Sequence, residues 1–136
     1  MLRLGTVQRE SCALIPDMSA CFDQSDVVEL SRAALADSRK RLDRIPEDRC
    51  ALFYEEARSL EVELLTIYRA VAICVRKEDK LDRIQQWWST MKGVCDHFAT
   101  RLSEVQSRHP SCGANTFYDR VLDLRNRCQR LAEMHQ

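Results

Sequence analysis

The sequence predicts an all-α protein, a four-helix up-and-down bundle or an antiparallel helical hairpin with coiled-coil-like heptads. Its 136 residues include only three glycines and three prolines, fewer turn-forming residues than a sheet protein needs. Apolar residues recur over long segments at alternating spacings of three and four, the pattern of a and d positions in heptads. Short antiparallel helices with such a repeat pack together as a bundle.

The first helix is predicted over residues 25–44. Asp23 or Ser25 can cap its start with a side-chain oxygen. Ile45-Pro46 ends it, because the residue before a proline avoids helical dihedral angles. Its heptad pattern is the weakest of the four. The positions predicted to face the core are Val28, Leu35, Leu42 and Ile45, with Ser31 and Ser38 on the same side.

Two helices of nearly equal length are predicted over residues 47–76 and 79–107. Their heptad registers do not join, since the first would place Glu78 on its apolar side if it continued past Cys74. We expect a turn on the charged segment RKEDK (76–80), and hence an antiparallel hairpin, with one long interrupted helix as the alternative. The predicted core positions are Cys50, Phe53, Ala57, Leu60, Leu64, Ile67, Val71 and Cys74 in one arm and Leu81, Ile84, Trp88, Met91, Cys95, Phe98, Leu102 and Val105 in the other.

The last helix is predicted over residues 116–135, after the loop RHPSCGAN (108–115). Thr116 and Asp119 have the spacing of a capping box. The chain length fits one helical domain over 25–136, with residues 1–24 as an N-terminal extension that is partly ordered or acts as a lid. The predicted core positions of the last helix are Ala114, Phe117, Val121, Leu124, Cys128 and Leu131.

Charge and hydropathy exclude several classes of protein. Basic and acidic residues number 21 each, so no net field attracts nucleic acid or anionic lipid. No apolar run is long enough to span a bilayer, and the N-terminus lacks a secretory signal. We therefore expect an intracellular protein, cytoplasmic or nuclear, with no specific nucleic acid and no membrane span. Its seven cysteines, an odd number, are expected to be reduced there.

A Cys-Asp-His sequence at 95–97 raises the question of a catalytic triad. Successive residues of a helix point about 100° apart, so Cys95, Asp96 and His97 cannot form a triad with one another. We predict no catalytic residue here, because a free thiol at a core position packs as a small apolar residue. The cysteines that fall on predicted core positions are Cys50, Cys74, Cys95 and Cys128.

Metal binding is a further alternative. His109 and Cys112 could supply half of a zinc site, with Cys12 and Cys21 as the other half. Paired-ligand motifs such as CxxC and HExxH are absent from the sequence, so neither a metal nor a cofactor is predicted. A thiol-based metal or redox sensor is accordingly the least favoured function.

Arg130 and His135 have a spacing similar to the motif of HEPN-type ribonucleases, which are also helical bundles. The resemblance implies proton transfer by His135 and stabilisation of the phosphorane charge by Arg130. It covers six residues, and Leu131 stands where the family usually has a polar residue. The structural interpretation, a surface arginine and a terminal histidine, is favoured because so short a motif arises easily by chance.

A hairpin tip, defined as Ile67–Trp88, is the predicted functional surface. The shorter flanking helices would cover only the lower two thirds of the hairpin. The uncovered tip is apolar on most sides and carries two tryptophans, which favours a non-catalytic adaptor or structural subunit that binds a protein partner as a homo- or hetero-oligomer. Folding of residues 1–24 over the tip is the alternative. The predicted contact residues are Ile73, Val75, Leu81, Ile84, Trp87 and Trp88.

Overall fold

The described residues form four helices. The computed structural model describes residues 23–110, 112 and 116–134, so the predicted extension over 1–24 lies almost entirely outside the described residues. The helices pack against one another, which confirms the predicted all-α bundle. Within the described part of the chain, none of them is both long and apolar enough to cross a membrane. They are α1 (Gln24–Leu42), α2 (Cys50–Lys77), α3 (Leu81–Arg108) and α4 (Thr116–Met134).

Asp23, one of the two residues predicted to cap α1, is its N-cap and forms a capping box with Asp26. The Asp23 carboxylate accepts a hydrogen bond from the Asp26 N–H at 3.0 Å, and the Asp26 carboxylate accepts one from the Asp23 N–H at 2.8 Å. At its other end α1 is followed by a turn in which the Arg49 N–H donates to the Pro46 carbonyl at 3.1 Å. This turn delays the start of α2 to Cys50, three residues after the predicted Glu47.

The charged segment RKEDK contains the predicted turn. α2 ends at Lys77 and α3 begins at Leu81, so residues 78–80 connect two antiparallel arms of 28 residues each. The alternative of one continuous helix is therefore wrong. Equal arms bring the start of α2 and the end of α3 to the same end of the hairpin, which we call the closed end.

The predicted core positions of α2 and α3 are buried, with the exception of half-buried Cys50 and exposed Leu81. In α1, Leu42 is buried as predicted, and so are Ser31 and Ser38 on the same side. Val27, Leu30 and Ala34 also face the core, whereas Val28 and Leu35 were predicted to do so and are half-buried. Both of these line a groove between α1 and α3. The weak heptad pattern of α1 thus reflects a helix whose apolar side is shared between the core and a groove.

The flanking helices pack on the hairpin differently. α1 lies against both α2 and α3, whereas α4 packs closely on α3 and only lightly on α2. The α3–α4 contact contains small buried side chains, including Cys95 and Ala99 on α3 and Cys128 and Ala132 on α4. Since small side chains allow two helix axes to approach, α4 is drawn to α3 and leaves a second groove against α2.

Candidate functional site

The six predicted contact residues of the hairpin tip divide into two groups. Leu81 is 63% exposed and Ile73 is 39% exposed, and Val75 is half-buried beside the core. Ile84, Trp87 and Trp88 are instead buried, at 9%, 7% and 5% exposure, so the expectation of an uncovered surface was wrong for these three.

The tryptophans are buried because the flanking helices extend further along the hairpin than their lengths suggested. Gln24, the first residue of α1, donates a hydrogen bond to Gln86 at 3.3 Å and accepts one from the Thr90 hydroxyl at 2.9 Å. Ala132, near the end of α4, belongs to the same core cluster as both tryptophans. The Trp88 ring also lies 5.6 Å from that of Tyr68, measured between centroids. The uncovered surface therefore contracts to the end of α2 and the first turn of α3.

At the closed end, Cys50 and Cys112 form a disulfide with a Cα–Cα distance of 5.5 Å. This bond corrects the expectation that Cys50 is a free core thiol and that the cysteines are all reduced. It joins residues 62 positions apart. The hairpin register places these two segments at one end of the molecule, so the sequence carried a topological signal for the pair, although no local motif marks it.

The disulfide also removes the alternative of a half zinc site at His109 and Cys112. Cys112 has no thiolate to offer, and the buried His109 ring stacks on Phe53 with 5.4 Å between centroids. The other proposed ligands, Cys12 and Cys21, lie outside the described residues. Among the residues that are described, no cluster of three or more His, Cys, Asp or Glu side chains could hold a metal ion.

Of the five cysteines that the structure describes, three are free and buried, as predicted for core positions: Cys74, Cys95 and Cys128. Burial raises the pKa of the Cys74 thiol to about 11. Cys95 and Cys128 meet across the α3–α4 contact, where the hydrogen bond from the Cys95 thiol to Cys128, together with burial, raises the pKa of Cys95. Thiols of high pKa hold their protons at neutral pH and are poor nucleophiles.

The neighbours of Cys95 point elsewhere, as the helical geometry predicted. Asp96 accepts a hydrogen bond from Arg125 Nε at 2.7 Å on the α4 side. His97 is exposed and lines the groove between α1 and α3. The Cys-Asp-His sequence therefore contributes one side chain to the core, one to an interhelical ion pair and one to a surface groove.

The ribonuclease hypothesis rests on one described residue. Arg130 is exposed on α4 and, together with Arg120 and Arg127, lines the α2/α4 groove. Arg120 is already paired, donating to Glu61 at 3.1 Å through one guanidinium nitrogen. His135, the other residue of this alternative, lies outside the described residues.

One cationic surface escaped the sequence analysis. The α1/α3 groove is lined by Arg32 and Arg39 from α1 and by His97 and Arg101 from α3. Arg32 and Arg39 are seven residues apart, and therefore on one side of a helix, which was the available signal. The contribution of α3 could be recognised only after the relative rotation of the two helices was known.

Comparisons with known proteins give no family for this chain. No family model, curated protein or solved structure matches it.

Proposed function

We propose that this chain is a non-catalytic helical subunit that binds a partner protein through a tip patch, defined as exposed Ile73 and Leu81 with half-buried Val75. The observation that carries the proposal is the 63% exposure of Leu81, a leucine on the first turn of α3 that continues the core row of that helix. A side chain in register with the core but left in water is suited to packing against a helix from another chain.

The surroundings of the patch support the same function. The turn beside it carries Lys77, Glu78, Asp79 and Lys80, so charges of both signs border the aliphatic side chains. Glu78 also pairs with Arg83, at 3.7 Å between charged atoms. An apolar centre with a charged rim is the usual anatomy of a protein–protein interface. The buried Ile84, Trp87 and Trp88 then support the patch from below and do not touch the partner.

The test replaces the patch without touching the core. Ile73→Asp and Leu81→Asp should abolish binding of the partner, because each would place a charge in an apolar contact. Val62→Asp is the matched control, since Val62 is 55% exposed on the middle of α2, away from the tip. Circular dichroism should stay helical in all three variants. Light scattering of the purified chain shows whether the partner is a second copy, and affinity purification from native cells followed by mass spectrometry identifies a different protein.

The contrast between the variants decides the proposal. Loss of the partner with Leu81→Asp but not with Val62→Asp supports it. Equal retention, or equal loss, in the two variants would remove the patch from consideration.

A second candidate function, a ribonuclease, is favoured by one observation, the grouping of Arg120, Arg127 and Arg130 along the α2/α4 groove. Three arginines in one groove can hold the phosphates of an RNA strand. If the chain degrades RNA, His135→Ala and Arg130→Ala should each abolish cleavage, with Arg32→Ala as an arginine control on the other groove. Degradation that persists in His135→Ala would exclude this mechanism.

An intracellular location stays a prediction, and the Cys50–Cys112 disulfide is the observation that weighs against it. Disulfides persist mainly in oxidising compartments. Rapid alkylation of whole cells, followed by mass spectrometry, measures the fraction of this pair that is oxidised in vivo. A fully reduced pair would restore the cytoplasmic or nuclear prediction.

A further inference from the structure

The α1/α3 groove has the size and lining of a small-molecule site. Its volume is about 620 Å³, within the usual range for ligand pockets. Apolar side chains from both helices, including Val28 and Val94, form its floor. Polar groups border it, and no carboxylate is among the described residues that line it. The site is separate from the tip patch and does not depend on the proposed function.

The register of the two helices shows how the groove is organised along its length. α1 and α3 run parallel, since Gln24 bonds to Thr90 and Asp43 bonds to Arg108, separations of 66 and 65 residues. The same offset puts Arg32 level with His97 and Val28 level with Gly93. One stretch of the groove is therefore cationic, and the stretch one turn before it is apolar.

The cationic stretch has little internal neutralisation. Glu104 is the acid that serves it, at 3.6 Å from Arg39 and 3.8 Å from Arg101, both beyond hydrogen-bond distance. The Arg101 Nε is buried and has no hydrogen-bond acceptor among the described residues. Arg32 and His97 make no ion pair or hydrogen bond within the described part of the chain. A buried guanidinium nitrogen without an acceptor is costly, and an anionic ligand would satisfy it.

Gly93 is a second and independent indication of a ligand. A glycine in the middle of a helix is unfavourable compared with alanine, so its presence calls for a packing reason. The described residues offer none, because a Cβ at this position would meet none of their atoms within 4 Å. Close approach of the backbone to a bound molecule is the remaining use of a helical glycine in a groove.

The geometry points to a binding site for an amphipathic organic anion in the α1/α3 groove, a carboxylate with a short alkyl tail. The carboxylate lies between Arg32, His97 and Arg101, and the tail lies over Gly93 against Val28 and Val94. A carboxylate suits guanidinium groups because each can accept two parallel N–H bonds from an arginine. The apolar stretch excludes a purely ionic ligand such as inorganic phosphate as the preferred occupant.

The test uses octanoate as the probe and 1-octanol as a neutral molecule of the same chain length, both titrated into the full chain. Amide chemical shifts in two-dimensional nuclear magnetic resonance spectra report binding, with the Gly93 amide as the local reporter. Octanoate should bind saturably, and at least roughly tenfold more tightly than octanol, because the charged head supplies the difference. Acetate, which has the head without the tail, should bind more weakly than octanoate.

Three variants assign the binding to this groove. Arg32→Gln and Arg101→Gln together should weaken octanoate binding roughly tenfold or more and leave octanol unchanged. Gly93→Leu should block both molecules by filling the floor, while circular dichroism and thermal unfolding show a helix at least as stable as before. Arg127→Gln, on the opposite groove, should leave binding unchanged.

Several results would overturn the inference. Equal affinity for octanoate and octanol would mean that the groove binds alkyl chains without recognising the carboxylate. If Arg127→Gln weakened octanoate binding as much as the Arg32/Arg101 variant does, the binding would be non-specific attraction between opposite charges. Undiminished binding to a folded Gly93→Leu protein, or no saturable binding of octanoate at all, would exclude the groove.

Discussion

The closed end and the hairpin tip are held together by different means. At the closed end a disulfide joins Cys50 to Cys112, and a small core cluster of Leu42, Phe53 and Val105 surrounds it. At the tip no covalent bond joins the described residues, and burial of the two tryptophans depends on α1 and α4 reaching that far. The same hairpin is thus clamped at one end and covered at the other.

This difference teaches where the molecule can respond to a partner. The closed end cannot open without breaking a covalent bond. The tip can open if α1 or α4 frays, because helix ends are among the least stable parts of a fold. The proposed tip patch therefore lies at the end that packing alone maintains.

Removing the clamp should have the largest effect on stability. Cys50→Ser with Cys112→Ser opens a loop of 62 residues, for which the chain-entropy relation gives a loss of about 4 kcal/mol in the free energy of unfolding. Urea denaturation followed by circular dichroism measures it. Each single variant should match the double variant, because either one removes the whole cross-link. A loss below about 1 kcal/mol would mean that packing alone closes this end.

Truncating a buried tryptophan near the tip should have the next largest effect on stability. Trp88→Ala should lower the free energy of unfolding by about 3 kcal/mol, because it leaves a large cavity in the core. Leu81 lies on the same side of α3 as Trp88 but is mostly exposed, so Leu81→Ala should lower the free energy of unfolding by less than about 0.5 kcal/mol. The same urea experiment compares them. Similar losses for both residues would show that Leu81 is buried in solution, and would end the proposal of an exposed tip patch.

The reactivity of Cys74 reports the smallest effect, transient opening of the tip, because this thiol lies in the last turns of α2. Thiolates react with iodoacetamide and thiols do not, so a pKa raised to about 11 should slow its alkylation at pH 8 by about a hundredfold relative to an ordinary cysteine. The rate should increase as the pH rises toward 11. Peptide mapping by mass spectrometry follows the single site, with the urea-unfolded chain as the fast control. Rapid labelling of the native protein at pH 8 would show that the tip opens readily.

The helices and the turn between α2 and α3 could be predicted, because the interactions that start and end a helix are local in sequence. Asp23 caps α1 through atoms three residues away, and the charged turn after Lys77 follows from a break in a repeat. The core rows of α2 and α3 were predictable for the same reason. In α1 the prediction was correct for Leu42 but wrong for Val28 and Leu35, because an interrupted heptad pattern cannot say which of two adjacent apolar residues faces the core and which faces a groove.

The candidate sites were only partly predictable. Leu81 and Ile73 were identified as exposed apolar residues, whereas Trp87 and Trp88 were placed on the surface by counting helix lengths. Helix lengths do not contain the axial offset of α1, which begins level with residues 86–90 of α3 and so helps to cover the tryptophans. The cationic groove has residues from two helices, so no single stretch of sequence contains it.

By itself the sequence determined that the part of the chain from residue 23 onward forms four helices, two of them a hairpin of equal arms, because periodicity, caps and breaks act over a few residues. Tertiary structure alone decided which aromatic residues are covered and which arginines share a groove. Those outcomes depend on how far each flanking helix slides and rotates against the hairpin, and such rigid-body placement is set by packing between residues far apart in the chain.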